Sequence, residues 1–262
     1  EPWGVRWGYA GLLRGELERL NSRDVSHVIG RGGTFLGSSR SHMFDSDKGV
    51  REALRNLNEN AIDGLIVVGG DGSMEGAQRL AETGFPTIGV PATIENDVCG
   101  TDACVGADSA LNTALDAIDR VKDTASSRQQ AFVLEVMGDK SGYLALMAAM
   151  AGGAEMVCLP ELPFTLIEIA EEVADAYVRG KQHCIIVVSE GVEPGATRIT
   201  EYLNERRDIT GFEAHLTIVG SIQRGGAPSA FDRFLGTCLG AEAVKQLHDG
   251  VDGVMVGWKN EQ

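Results

Sequence analysis

The sequence predicts an α/β protein built on mainly parallel sheets. Three observations carry that class. Short apolar runs of strand length alternate with longer stretches of helical period, glycines stand at the ends of the apolar runs, and neither an internal repeat nor a low-complexity linker interrupts the pattern. Glycine is abundant, 34 of 262 residues against a usual share of about 7%, and its lack of a fixed period points to turns and ligand loops rather than to a collagen-like repeat.

Taken in order, a helix is predicted over 50–58, followed by a strand over 64–68, where Leu65, Ile66, Val67 and Val68 form an unbroken apolar run. A helix over 74–82 leads to a strand over 87–90. Next comes a helix over 109–124, in which Leu111, Leu115, Ile118 and Val121 recur at spacings of three and four and leave Asp116, Asp119 and Lys122 outside the stripe. The apolar run 131–136 is the third strand, and helix 143–151 follows it. Strands at 156–159, 184–189 and 216–220 then alternate with helices at 166–180 and 199–206. Any change of domain is expected in the glycine-rich turns 100–107 or 225–228.

Charge excludes whole classes of partner. Asp and Glu number 38 against 23 Lys and Arg, a net charge of −15, and such a field repels phosphate backbones and anionic lipid. Nucleic acid and membrane are therefore not the expected partners, and an anionic ligand must be held by backbone donors and a few placed arginines. No run approaches the roughly 18 apolar residues of a spanning helix. Cys99, Cys104, Cys158, Cys184 and Cys238 form no CxxC pair, and their odd number predicts reduced thiols in a cytoplasmic setting. The chain opens at Glu1 with no methionine and no charged-then-apolar leader, which predicts a start inside a longer polypeptide.

Four segments can carry chemistry. In the first, the strand Leu65-Ile66-Val67-Val68 runs into Gly69-Gly70-Asp71-Gly72-Ser73 and a helix. A glycine turn opening a helix gathers backbone N–H groups at one point, where the helix dipole also favours a phosphate. Asp71 in that turn can share Mg²⁺ with phosphate oxygens. The structural alternative is a tight turn with Ser73 as N-cap. The turn is neither a P-loop nor a dinucleotide fingerprint.

In the second segment, Gly89-Val90-Pro91-Ala92-Thr93-Ile94-Glu95-Asn96-Asp97, a strand ends in two carboxylates, as at the ligand edge of open α/β sheets. One carboxylate can take a proton from an attacking hydroxyl; the alternative is an Asx-type turn with solvated acids. The third, Ser221-Ile222-Gln223-Arg224-Gly225-Gly226 with Arg233 beyond it, offers two arginines for a phosphate or, alternatively, for surface ion pairs. The fourth, residues 31–40, is a glycine- and serine-rich stretch ending in Arg40.

Together and in this order, these segments resemble the phosphofructokinase family, along with residues 106–124, 135–138, 152–161 and 257–262. The resemblance implies two Rossmann-like three-layer α/β domains facing each other across a cleft. The donor domain would comprise residues 1–106 and 232–262, and the sugar-phosphate domain residues 107–231. It implies a cytoplasmic glycolytic kinase, a homotetramer or dimer, that transfers the terminal phosphate of ATP with Mg²⁺ to the 1-hydroxyl of fructose 6-phosphate. By the same resemblance Arg40, Gly70, Asp71, Gly72 and Ser73 meet the donor, with Asp71 near the metal. Glu95 stands at the place of the catalytic base and Asp97 is the second acid. Thr93, Glu95, Met137, Gly138 and Glu190 contact the sugar, and Arg224 and Arg233 clamp its 6-phosphate.

Gly72 and Ala92 stand where pyrophosphate users of the family carry aspartate and lysine, and their small size leaves room for a nucleoside. Several positions depart from the family pattern. Glu95 replaces the usual aspartate and adds a methylene. Gln130 and Asp139 stand where arginines reach the sugar phosphate, and Ser221 replaces a histidine. The family's first strand with its Gly-Gly-Asp-x-Pro-Gly loop, and the family's C-terminal end, are not matched. Pyrophosphate dependence and a non-catalytic regulatory homologue that binds nucleotide or sugar phosphate are the alternative readings.

Overall fold

The computed structural model describes residues 1–39, 41, 43, 44 and 46–259. In chain order the elements are β1 (Trp3–Val5), α1 (Gly8–Arg14), β2 (Leu17–Arg19), α2 (Asp47–Glu59), β3 (Leu65–Gly69), α3 (Asp71–Ala81) and β4 (Thr87–Pro91). They continue with α4 (Ala107–Arg128), β5 (Gln130–Val136), α5 (Tyr143–Gly152), β6 (Met156–Cys158), α6 (Leu166–Val178) and β7 (Cys184–Ser189). The last are α7 (Ala196–Glu205), α8 (Arg207–Thr210), β8 (Glu213–Ile218), α9 (Ala230–His248) and β9 (Val254–Met255).

The chain forms two compact units. The first contains Glu1–Thr93, Val98–Val105 and the chain from Gly226 on; the second contains Ile94–Asp97 and Gly106–Gly225. In the first, β3, β4 and β9 make a parallel sheet in the order β3-β4-β9, beside the antiparallel hairpin β1-β2. One core gathers Leu12, Val50, Leu57 and Leu80 from α1, α2 and α3, and the other joins Ile88 and Val90 of β4 to Leu235, Leu239 and Ala243 of α9. The sheet therefore lies between helical layers.

The second unit shows the same logic more fully. Its four parallel strands run in the order β6-β7-β5-β8, and every residue of β7 is buried. Side chains alternate across a strand, so Cys184, Ile186 and Val188 enter a core with α6 and α7, while Ile185 and Val187 enter one with α4 and α5. Burial pushes the thiols of Cys158 and Cys184 up to about 12, which keeps both protonated and inert.

Strand 184–189 is found where the apolar run predicts it. The helix predicted from 74 begins three residues earlier at Asp71, with Gly70 as its N-cap, so Ser73 lies inside the first turn and caps nothing. The strand predicted over 216–220 is displaced to Glu213–Ile218, where it pairs with β5 from Gln130↔Glu213 to Glu135↔Ile218. The hairpin β1-β2, the helix α9 and the strand β9 lie where the sequence pattern predicts no element.

Candidate active site

The donor-loop residues lie in the first unit. At the carboxyl end of β3 the chain passes through extended Gly70 directly into α3. The N–H groups of Ser73 and Met74 both donate to the Gly70 carbonyl, at 2.9 and 3.0 Å. Those of Asp71 and Gly72 have no intrahelical acceptor and can meet an anion at the positive end of the helix. A Cβ placed on Gly72 would meet no atom within 4 Å. Thr93 lies beside this loop, with its Cβ 3.3 Å from where a Gly70 Cβ would stand.

Tyr9, which sequence reading passed over, holds the first turn of α3 by donating its hydroxyl to the Ser73 carbonyl at 2.7 Å. Burial raises the affinity of that phenol for its proton, so the donor is permanent at physiological pH. Arg233, in the first turn of α9, also belongs to this unit, and its Nε donates to the Pro228 carbonyl at 2.9 Å. Gly32, from the stretch 31–40, lies against the Gly226 carbonyl. Arg40 lies outside the described residues.

Asp71 is exposed at the first position of α3. Among the described residues no cluster of three or more His, Cys, Asp or Glu could cage a metal ion. One hard carboxylate oxygen at an anion-binding helix start fits Mg²⁺, which keeps water and phosphate oxygens as most of its ligands.

The acid turn Ile94–Asp97 belongs to the second unit, at the carboxyl ends of β5, β7 and β8. Asn96 adopts φ 50°, a left-handed conformation that asparagine tolerates better than most residues. Ile94 packs against the core shared with α4 and α5. The segment after β5 is clamped from two sides: Glu190 N–H donates to the Val136 carbonyl at 2.9 Å, and Met137 N–H donates to the buried Gln223 Oε1 at 2.7 Å. Arg224 Nε in turn donates to Met137 Sδ at 3.4 Å.

Gly138 is required by close approach, because a Cβ there would collide with the Ser141 carbonyl oxygen. At Gly191 a Cβ would overlap the Asp139 carbonyl in the same way. Met137, Gly138, Glu190 and Arg224 are thus fixed in one unit with Glu95 and Asp97. Gln130 opens β5, and Asp139 stands at φ 44° in the turn that follows the strand.

The electrostatics single out Glu95. Its carboxyl holds its proton above the ordinary glutamate range, first because burial penalises the charge, then because Asp97, Asp139 and Glu190 repel it; Arg224 opposes the shift. A half-buried carboxyl with raised proton affinity at the carboxyl edge of a parallel sheet can serve as a general base. Glu135 is shifted in the same direction by burial and by Glu190.

The whole-chain comparisons agree with this architecture. The family model described as Phosphofructokinase matches residues 1–247. The chain is 45% identical over 258 residues to an ATP-dependent 6-phosphofructokinase of Natranaerobius thermophilus, covering 98% of this chain and 80% of that protein. It is 46% identical over 262 residues to one of Streptococcus sanguinis, covering 100% and 77%. Among solved structures, a Pichia pastoris phosphofructokinase in the T-state superposes with a TM-score of 0.91 at 31% identity, over 99% of this chain and 32% of that much longer one. With the fold, the collinear motifs and these matches in agreement, the chain belongs to the phosphofructokinase family.

Proposed function

We propose that this protein transfers the γ-phosphoryl group of ATP to the 1-hydroxyl of fructose 6-phosphate. The observation that carries the reading is the 46% identity, over all 262 residues, to a relative named for that reaction. The N–H groups of Asp71 and Gly72 receive donor phosphate oxygens at the start of α3. Asp71 would hold Mg²⁺, which when bound neutralises charge on the transferring group. Thr93, Met137, Gly138 and Glu190 contact the sugar. Arg224 and Arg233 receive the 6-phosphate, and Arg40 serves the donor phosphates.

Glu95 accepts the proton that leaves the attacking hydroxyl, with Asp97 as the second acid of the turn. In the dissociative transition state of phosphoryl transfer little covalent work falls to the base, so positioning and charge supply most of the acceleration. The protein acts in glycolysis in the cytoplasm as a homo-oligomer. Among the described residues no helix is long and apolar enough to cross a membrane.

A coupled assay that detects fructose 1,6-bisphosphate, run with ATP and with pyrophosphate, tests the reading. Turnover with ATP at least about 100-fold above that with pyrophosphate is expected. Preference for pyrophosphate would overturn the donor assignment. No turnover with either donor, accompanied by a fructose 6-phosphate-induced rise in Tm, would favour a binding-only protein, the reading that Gln130 and Asp139 support.

A further inference from the structure

Within the second unit one hydroxyl joins the acid turn to the loop after β5, and no reading of the motifs assigns it a role. Ser141 Oγ donates to the Glu95 carbonyl at 2.9 Å, across 46 residues of sequence. The same oxygen accepts the Tyr143 N–H at 3.3 Å, at the start of α5. Ser141 is itself held on both sides: its N–H donates to the Gly138 carbonyl at 2.7 Å, and its carbonyl accepts from Ser189 Oγ at 3.2 Å. The loop that carries this hydroxyl is therefore built into the end of the sheet, through β5 by way of Gly138 and through β7 by way of Ser189. Its rigidity is passed to the backbone of the residue that bears the base.

We infer that Ser141 is a positioning residue for phosphoryl transfer: its hydroxyl fixes the backbone of Glu95 and thereby the placement of the Glu95 carboxylate at the acceptor hydroxyl. The inference rests on the functional reading above. A glutamate has one more rotatable bond than an aspartate, so its reach to a reacting hydroxyl depends on an immobile backbone. A displacement of about 1 Å at a reacting group costs on the order of 100-fold in rate. Ser141 touches no reacting atom and acts only through Glu95.

The second consequence is electrostatic. Among the groups that face Glu95 are Asp97 on its own turn, Asp139 after β5, Glu190 after β7 and Arg224 after β8. A turn released from Ser141 becomes more hydrated and less confined among these acids, so its carboxyl ionises more readily.

The experiment compares the parent protein with Ser141→Ala and Ser141→Thr, first confirming by circular dichroism and Tm that each is folded. For Ser141→Ala, kcat is expected to fall about 10- to 100-fold with the KM for ATP unchanged, and the acid limb of kcat/KM to move to lower pH. Ser141→Thr, which keeps the hydroxyl, is expected to recover most of the lost kcat. An unchanged kcat in the folded alanine variant, or a threonine variant as slow as alanine, would overturn the inference. A parent without turnover strikes the functional reading and the catalytic consequence drawn from it, but not the hold of Ser141 on Glu95. In that case a ¹³C-detected titration of the Glu95 carboxyl decides the inference, with a lower apparent pKa in Ser141→Ala supporting it and an identical titration refuting it.

Discussion

Glu95→Gln is expected to lower kcat by at least about 100-fold while leaving the KM for ATP nearly unchanged, because it removes the proton acceptor and touches no donor group. The stability effect separates this outcome from simple damage. The proton affinity of Glu95 is raised in the folded protein, first by burial and then by Asp97, Asp139 and Glu190. An acid whose folded pKa lies above its unfolded value stabilises the fold only when protonated. That contribution is lost as pH rises from the ordinary glutamate range through the folded pKa. Above its folded pKa the ionised carboxylate is therefore a burden, and the neutral amide relieves it. The variant should melt at the same temperature as the parent or higher. The parent should lose activity on acidification at a pH above the ordinary glutamate value of about 4.3, and the glutamine variant should lack that limb. Equal turnover in the two proteins would remove Glu95 from the mechanism.

Gly72→Asp is expected to have a comparable effect through the other substrate. A Cβ at Gly72 meets nothing within 4 Å, so aspartate fits without displacing a neighbour. At the second position of α3 its charge favours the helix start by about 0.3–1 kcal/mol. The same carboxylate competes for the N–H groups that would receive a phosphate and repels the donor oxygens. A penalty of about 2–3 kcal/mol, reasonable for like charges a few ångströms apart near a surface, corresponds to a fall in kcat/KM for ATP of roughly 30- to 150-fold. Differential scanning calorimetry should show a Tm no lower than that of the parent. Undiminished use of ATP by the folded variant would show that the start of α3 is not where the donor phosphates bind.

What the sequence made legible follows the physics of each element. The run Cys184–Ser189 is apolar on both faces because helices cover both sides of the sheet, and such a strand is readable from composition alone. In α4 one stripe is apolar and the other face polar, so the helix is legible, but it spans Ala107–Arg128, starting two residues before the predicted start at 109 and ending four beyond the predicted end at 124. The helix α9 was missed because its apolar residues surround it: Leu235, Leu239 and Ala243 are buried, while Phe234 and Val244 are exposed. The hairpin strands β1 and β2 have three residues each, too few to establish a period of two.

The candidate site divides in the same way. Asp71, Glu95 and Arg224 lie just beyond strands, in short polar runs whose residue types announce them. Ser141 and Gln223 do not, because each acts on a partner far along the chain, Ser141 across 46 residues and Gln223 across 86. Tyr9 reaches Ser73 across 64. A serine, a glutamine or a tyrosine carries no local signature of such a bond; only the folded sheet brings the partners together.

The most direct measurement of the central claim is the product itself. The protein would be incubated with ATP, Mg²⁺ and fructose 6-phosphate labelled with ¹³C at C1, and the reaction followed by ¹³C and ³¹P NMR. A new phosphorus coupling on the C1 resonance, growing in step with ADP, is predicted. ADP formation with an uncoupled C1, or an unaltered sugar and intact ATP, would contradict the account.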